Sequence, residues 1–349
     1  MSPGAADPPA PHTSGDSLPR LFLDALPRRL SDAVPKVVAE IVEEPSWPGT
    51  VERPPARGRL GTAYDTAWSR RPAVRRAREL LLDDVALPIT RLVTRPEVIG
   101  AEVLDPLPGP CLFVANHSSH LDTTVLLASL PERFRHRCVV AAAADTFFDR
   151  RWKAAAWSFA LASIPIERTR VNRASSDLAA ELLDEGWSVI IYPEGGRTRD
   201  GWGQKFSGGA AYLAKRAGVP VVPVHLQGVR PILPKGGDRV RPGSVSVRFG
   251  PPLRPRQAAG GEQGGREEDA RHFAARIEQA VAELADEAET DWWSARRRAA
   301  RGETPSLQGP QVAPWRRAWS LPESRRAEPT RTGSEESGDA DRPWERRGR

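Results

Sequence analysis

The sequence predicts an α/β domain on a largely parallel sheet flanked by helices, with an accessory N-terminal helical region and disordered tails. Three observations carry this. From Cys111 onward, short apolar runs alternate with segments of helical periodicity, the order expected of strand–helix–strand units. Gly186 and Gly218 each stand between a helical segment and an apolar run, where a residue that tolerates left-handed dihedrals ends a helix. Both ends of the 349-residue chain are rich in Pro, Ser, Gly and charge, and bury too little apolar surface to offset chain entropy.

In chain order, residues 1–20 read as a disordered tail and 21–95 as the accessory helical region. Within that region, residues 21–44 and 75–93 carry apolar side chains at helical spacing, broken by prolines. The α/β domain follows over 96–293. Its predicted strands are 111–115, 137–144, 188–192, 219–226 and 244–249, with helices near 121–130, 149–163, 173–185 and 208–217. A long helix over about 267–293 closes the domain and passes into DWWSARRR. There Trp292 and Trp293 stand beside Arg296, Arg297 and Arg298; packing of both tryptophans on the body is the first reading and interfacial anchoring the alternative. Residues 294–349 read as a mostly disordered basic tail.

A net charge of +6 suits nucleic acid, an anionic membrane surface or a phosphorylated ligand. The arginines are spread through tails and body, without zinc-finger spacing or an aromatic RNA-binding motif, which argues against nucleic acid. The two cysteines, Cys111 and Cys138, lie at or just before apolar runs and read as reduced core thiols of a cytoplasmic protein. No signal-peptide pattern opens the chain, and no run reaches the roughly 18 to 20 apolar residues of a membrane span, so membrane contact is expected to be peripheral.

The chemistry concentrates in three stretches. In VANHSSHLDTT (114–124) a strand runs into a polar turn and then an apolar helix. At about 100° per helical residue, His117 and Asp122 share a face only if His117 sits in the turn and Asp122 in the first helical turn. A carboxylate on one ring nitrogen would then fix the tautomer and leave the other nitrogen to take a proton from an alcohol. A helix cap and a surface histidine are the plainer reading of the same pair. His120 is an alternative partner or a metal ligand, but no downstream His or Cys cluster completes a metal site. In SVIIYPEGGRTRDG (188–201), Gly195 and Gly196 let backbone amides approach an anion and Arg197 can grip phosphate, or Glu194 pairs with Arg197 in a charged turn. In SIPIERTRVNR (163–173), Arg168, Arg170 and Arg173 either hold phosphate or are scattered surface charge. Each stretch follows a strand end, where open α/β sheets bind ligands.

These residues resemble the glycerolipid acyltransferase family, which includes the lysophosphatidic acid acyltransferases. Its first motif, N-H-x4-D, is matched by Asn116, His117 and Asp122, and its third, F-P-E-G-T-R-S-R-D-G, by YPEGGRTRDG. The basic second motif looks like IPIERTR with Arg168 aligned, and the later V-P-V-x-P-V motif is present as Val219 to Val224. The four run in family order over about residues 85–255. The resemblance implies His117 as general base, Asp122 as its orienting partner, and Arg168, Glu194, Gly195 and Arg197 shaping the acceptor phosphate site. It implies an acyl-CoA or acyl carrier protein thioester as donor, and no metal or organic cofactor. Four departures stand out: Gly196 for Thr, Tyr192 for Phe, Pro165 for an aromatic, and Ser207 and Gly208 where the family usually carries basic residues.

The expected function is O-acyl transfer from an acyl thioester to a hydroxyl of a glycerol phosphate-type lipid such as lysophosphatidic acid. The protein is expected at the cytoplasmic face of a membrane, peripherally bound through the upstream helices, Arg150-Arg151-Trp152-Lys153 and Trp292 and Trp293. The alternatives are a different alcohol acceptor, thioester hydrolysis, and non-catalytic lipid binding.

Overall fold

Leu112–Ala115 has no polar side chain and is buried throughout, which places it in the middle of a sheet covered on both faces. The computed structural model describes residues 60–167, 173–198, 200–234, 239–256 and 268–322. Its strands are β1 (Pro96–Ile99), β2 (Leu112–Ala115), β3 (Cys138–Ala143), β4 (Ser163–Ile166), β5 (Ser188–Ile191), β6 (Val221–Gln227) and β7 (Val245–Phe249). They form one seven-stranded sheet in the order β1-β7-β6-β2-β5-β3-β4. β6, β2, β5, β3 and β4 are parallel, whereas β7 is antiparallel to β6 and carries β1 parallel to itself. The sheet is thus largely parallel, as the sequence predicts. Val114 lies opposite both Ile191 and Pro223, so the turns leaving β2 and β5 start side by side.

The helices are α1 (Pro72–Leu81), α2 (Leu87–Thr94), α3 (Asp122–Ser129), α4 (Arg151–Leu161), α5 (Arg173–Asp184), α6 (Gly209–Ala217), α7 (Ala270–Glu289) and α8 (Trp292–Arg301), besides shorter turns. α2 and α3 cover one face, with Leu87 and Leu126 among the side chains packed with Phe113 and Val222. α5, α6 and α7 cover the other, with Leu182, Leu213 and Phe273 packed with Leu112 and Val189. All eight residues of α3 are buried, which is why its sequence shows no polar face. The proline-broken pattern of 75–93 folds as α1, a π-helical turn (Leu82–Ala86) and α2. The helical reading of 21–44 and the tail reading of 1–20 lie outside the described residues. Both cysteines are buried and free.

Four expectations change. β1 adds an edge strand with no announcement in the sequence, because it is four residues long, with Glu97 and Val98 exposed and no alternation. The long closing helix stops at Glu289, and Asp291 caps α8 separately by accepting from the Ser294 N–H. Trp292 and Trp293 do not pack on the body: they are 49% and 71% exposed and form a T-shaped pair with each other. α8 is held to the body by the buried Ala295 and by Arg298, whose Nε and Nη2 each lie 2.7 Å from the Asp286 carboxylate of α7.

The fourth change concerns the tail, which is ordered and docked as far as residue 322. Leu307 is buried in the α5–α6–α7 core, and its carbonyl accepts from the Gly203 N–H at 2.8 Å. Trp202 Nε1 donates to the Arg317 carbonyl at 3.0 Å, and Arg317 Nε lies 2.8 Å from Asp200. Gly309 has φ +68°, and a Cβ there would stand 2.2 Å from the Trp202 ring, so only glycine lets the strap lie this close. Single apolar anchors spaced among prolines and charges give no periodic signal, which is why composition alone reads this segment as tail.

Candidate active site

The turn after β2 is shaped by side chains that close on the backbone. Asn116 continues the pairing of β2 with β6 through its side-chain amide, donating from Nδ2 to the Leu226 carbonyl at 2.9 Å and accepting from the Leu226 N–H at 2.7 Å. Ser119 Oγ donates to the Leu233 carbonyl at 2.7 Å. The chain then enters α3 at Asp122, which is wholly buried. Its Oδ2 lies 2.9 Å from His117 Nδ1 and accepts from the N–H groups of Ser118 at 2.6 Å and Ser119 at 2.8 Å. The carboxylate therefore does two jobs: it holds the turn by its amides and holds the imidazole by one nitrogen. His117 and Asp122 meet with His117 in the turn and Asp122 at the helix start, the placement the spacing predicts.

The second stretch is laced onto the first. Glu194 is 7% exposed, and its two oxygens accept from the His117 N–H at 2.8 Å and the Gln204 N–H at 2.9 Å. The Thr198 N–H donates in turn to the His117 carbonyl at 3.0 Å. Burial pushes the Glu194 carboxyl up to about 8, outweighing the two backbone N–H groups that favour its charged form. Glu194 thus braces the turn that carries His117. The Gly195 N–H closes the turn onto the Tyr192 carbonyl at 3.2 Å. Arg197 is half-buried; burial lowers its guanidinium and the charge of Asp122 opposes this. Arg168 and Arg170 lie outside the described residues, and nothing is described of the Arg173 side chain.

One residue gains a role that its own stretch does not suggest. The Tyr192 ring stacks on the His117 imidazole, with centroids 4.3 Å apart and planes 21° from parallel, and its hydroxyl lies 3.1 Å from Thr123 Oγ1. Burial and the neighbouring Asp122 charge push that hydroxyl above its ordinary range. Its distance from His117 along the sequence, on a different strand end, hides this contact from any local reading. Among the described residues, no group of three or more His, Cys, Asp or Glu is placed to hold a metal ion.

Residues 95–227 match the family model described as Acyltransferase. The chain is 30% identical over 163 residues to a chloroplastic 1-acyl-sn-glycerol-3-phosphate acyltransferase of Brassica napus, covering 46% of this chain and 45% of that protein. It is 33% identical over 162 residues to the human 1-acyl-sn-glycerol-3-phosphate acyltransferase alpha, covering 46% of this chain and 55% of the relative. The chain thus spans about half the length of these curated relatives. The crystal structure of the 1-acyl-sn-glycerophosphate acyltransferase PlsC from Thermotoga maritima aligns with a TM-score of 0.48 at 24% identity, over 62% of this chain and 83% of that one. The resemblance first carried by Asn116, His117, Asp122 and the YPEGGRTRDG stretch therefore extends across the sheet from β1 to β6.

Proposed function

We propose that the protein transfers a fatty acyl group from an acyl thioester, acyl-CoA or acyl carrier protein, to a hydroxyl of a glycerol phosphate-type lipid such as lysophosphatidic acid. The observation that carries this reading is the 2.9 Å contact of His117 Nδ1 with a wholly buried Asp122. With Nδ1–H donated to Asp122, Nε2 keeps its lone pair and accepts the proton of the acceptor hydroxyl. The acceptor oxygen attacks the thioester carbonyl as that proton leaves. The tetrahedral intermediate then expels the thiolate, and His117 returns the proton to sulfur, so the histidine ends as it began. Asp122 stabilises the imidazolium between the two transfers, as the carboxylate does in a serine triad. Arg197, and Arg168 by family resemblance, bind the acceptor phosphate; the bidentate guanidinium fork matches its oxygens.

A different alcohol acceptor is a second reading with an observation of its own. Ser207 is exposed and uncharged beside the Glu194 turn, its N–H donating to the Pro193 carbonyl at 2.9 Å, at a place where relatives of the family usually carry a basic side chain. Contact with the cytoplasmic face of a membrane is supported by Trp152, 46% exposed at the start of α4 among Arg150, Arg151 and Lys153. Among the described residues no helix is long and apolar enough to cross a membrane.

The test is mass spectrometry of products from a lipid extract incubated with acyl-CoA or acyl carrier protein thioester. Acylated lipid is expected from wild type, with His117→Ala lower by about 10² to 10⁴ in rate and Asp122→Asn also losing most activity. Near-normal turnover by a folded His117→Ala overturns the base assignment. Free fatty acid as the sole product establishes hydrolysis, and lipid binding without turnover establishes the non-catalytic alternative.

A further inference from the structure

We propose that Tyr192 is a positioning residue for His117, fixing the plane of the imidazole so that Nε2 is aimed at the acceptor hydroxyl; this rests on the acyl-transfer reading above. The single contact from Nδ1 to Asp122 holds one atom of the ring and leaves it free to rock about that line. The stack of Tyr192 at 4.3 Å and 21° removes the rocking, because tilting the imidazole would drive it into the phenol ring. Both rings come together because β2 and β5 are neighbours, with Val114 opposite Ile191: Tyr192 follows that pair directly, and the turn after β2 carries His117 back over it.

The phenol ring is itself held. Its hydroxyl bonds to Thr123 Oγ1 at 3.1 Å, and Thr123 follows Asp122 in the first turn of α3. The in-plane restraint and the face restraint on His117 are therefore mounted on one helical turn and move together. When His117 takes the proton, the imidazolium lies against a π face that attracts cations, so the stack favours the species formed during reaction. A phenylalanine at this position would keep the ring but not the tether to Thr123.

The test uses the full chain and four variants: Tyr192→Phe, Tyr192→Leu, Thr123→Val and the Tyr192→Phe/Thr123→Val double variant. NMR of histidine-labelled protein, with His117 assigned by its disappearance in His117→Ala, reads the stack independently of any reaction. His117 ring protons are expected to be shielded in wild type and Tyr192→Phe and to lose that shielding in Tyr192→Leu. In acyl transfer, Tyr192→Leu is expected to lower kcat by about tenfold or more, as small misplacements of a reacting group do, with both KM values within about twofold. Tyr192→Phe should restore most of kcat. Because Tyr192→Phe and Thr123→Val remove the same bond, the double variant should be no slower than the slower single one.

A folded Tyr192→Leu that loses the shielding yet keeps its kcat overturns the proposal and leaves the acyl-transfer reading standing. Unshielded His117 protons in wild type overturn it too. Failure of wild type to transfer acyl groups to any alcohol in the screen sinks the acyl-transfer reading and the positioning role with it, while the shielding still reports the stack. Should Tyr192→Leu not fold, fully additive losses in the double variant overturn the tether.

Discussion

Glu194→Gln separates two consequences of a carboxyl buried under the turn that carries His117. The free acid of Glu194 is nearly isosteric with glutamine, so the change removes titration and little volume. In the folded chain the carboxyl is pushed up to about 8 by burial, from an ordinary 4.5. Between those values the unfolded chain has released the proton and the folded chain holds it, so folding takes up a proton. Raising the pH through this window therefore opposes folding: the stability is fully present below 4.5, falls as pH climbs, and levels off above about 8. At about 1.4 kcal/mol per pKa unit, the swing is on the order of 5 kcal/mol. The amide does not titrate, but it has one acceptor oxygen for the two N–H groups of His117 and Gln204 that Glu194 now serves. One buried N–H is left unpaired at a cost of about 1 to 3 kcal/mol. Urea unfolding of both proteins from pH 5 to pH 9 checks this: wild type should be the more stable at low pH and the variant at high pH, so the curves cross. Curves that stay parallel across the range refute the reasoning. Activity should fall as well where the amide oxygen takes the Gln204 N–H, because the bond then lost is the one that holds the His117 amide.

Two further outcomes follow from the geometry. Arg197→Lys keeps the charge beside Asp122 but loses the planar fork, and should raise the KM for a phosphorylated acceptor more than that for the donor; unchanged acceptor KM in steady-state kinetics removes Arg197 from the phosphate site. Leu307→Ala, at a side chain only 4% exposed in the α5–α6–α7 core, should cost about 2 to 5 kcal/mol in denaturant unfolding; a loss below that range means the strap from 303 to 322 is held by Arg317 and Trp202 and not by its apolar anchor.

The parts of the fold legible in the sequence are those whose signal is local and continuous. β2 shows because Leu112–Ala115 is uninterrupted and fully buried, and the place of His117 follows from it, since the helix that accepts Asp122 begins only seven residues past the strand. The parts that were not legible depend on contacts between distant residues. Glu194 reads as a charged turn residue until its oxygens are found on amides from two separate loops, one of them 77 residues away. The tryptophans of α8 misled because an aromatic side chain signals burial only on average, and here Ala295 and an Arg298–Asp286 clamp do the docking instead. The strap misled in the opposite sense, since Leu307 and Leu321 are buried singly among residues that would suit a tail.

The two thiols have a practical consequence for measuring this chemistry. Burial pushes Cys111 up to about 12 and Cys138 higher still, and neither side chain reaches solvent. A chromogenic disulfide reagent attacks thiolates, and the native protein offers it none near neutral pH. On the acyl-transfer reading proposed above, colour developing in a reaction mixture then counts thiol set free from the donor, turnover by turnover, without a blank for the protein. A slow second rise in colour, appearing only after heating or with urea, would count the same two sulfurs and so register unfolding in the cuvette that measured the rate.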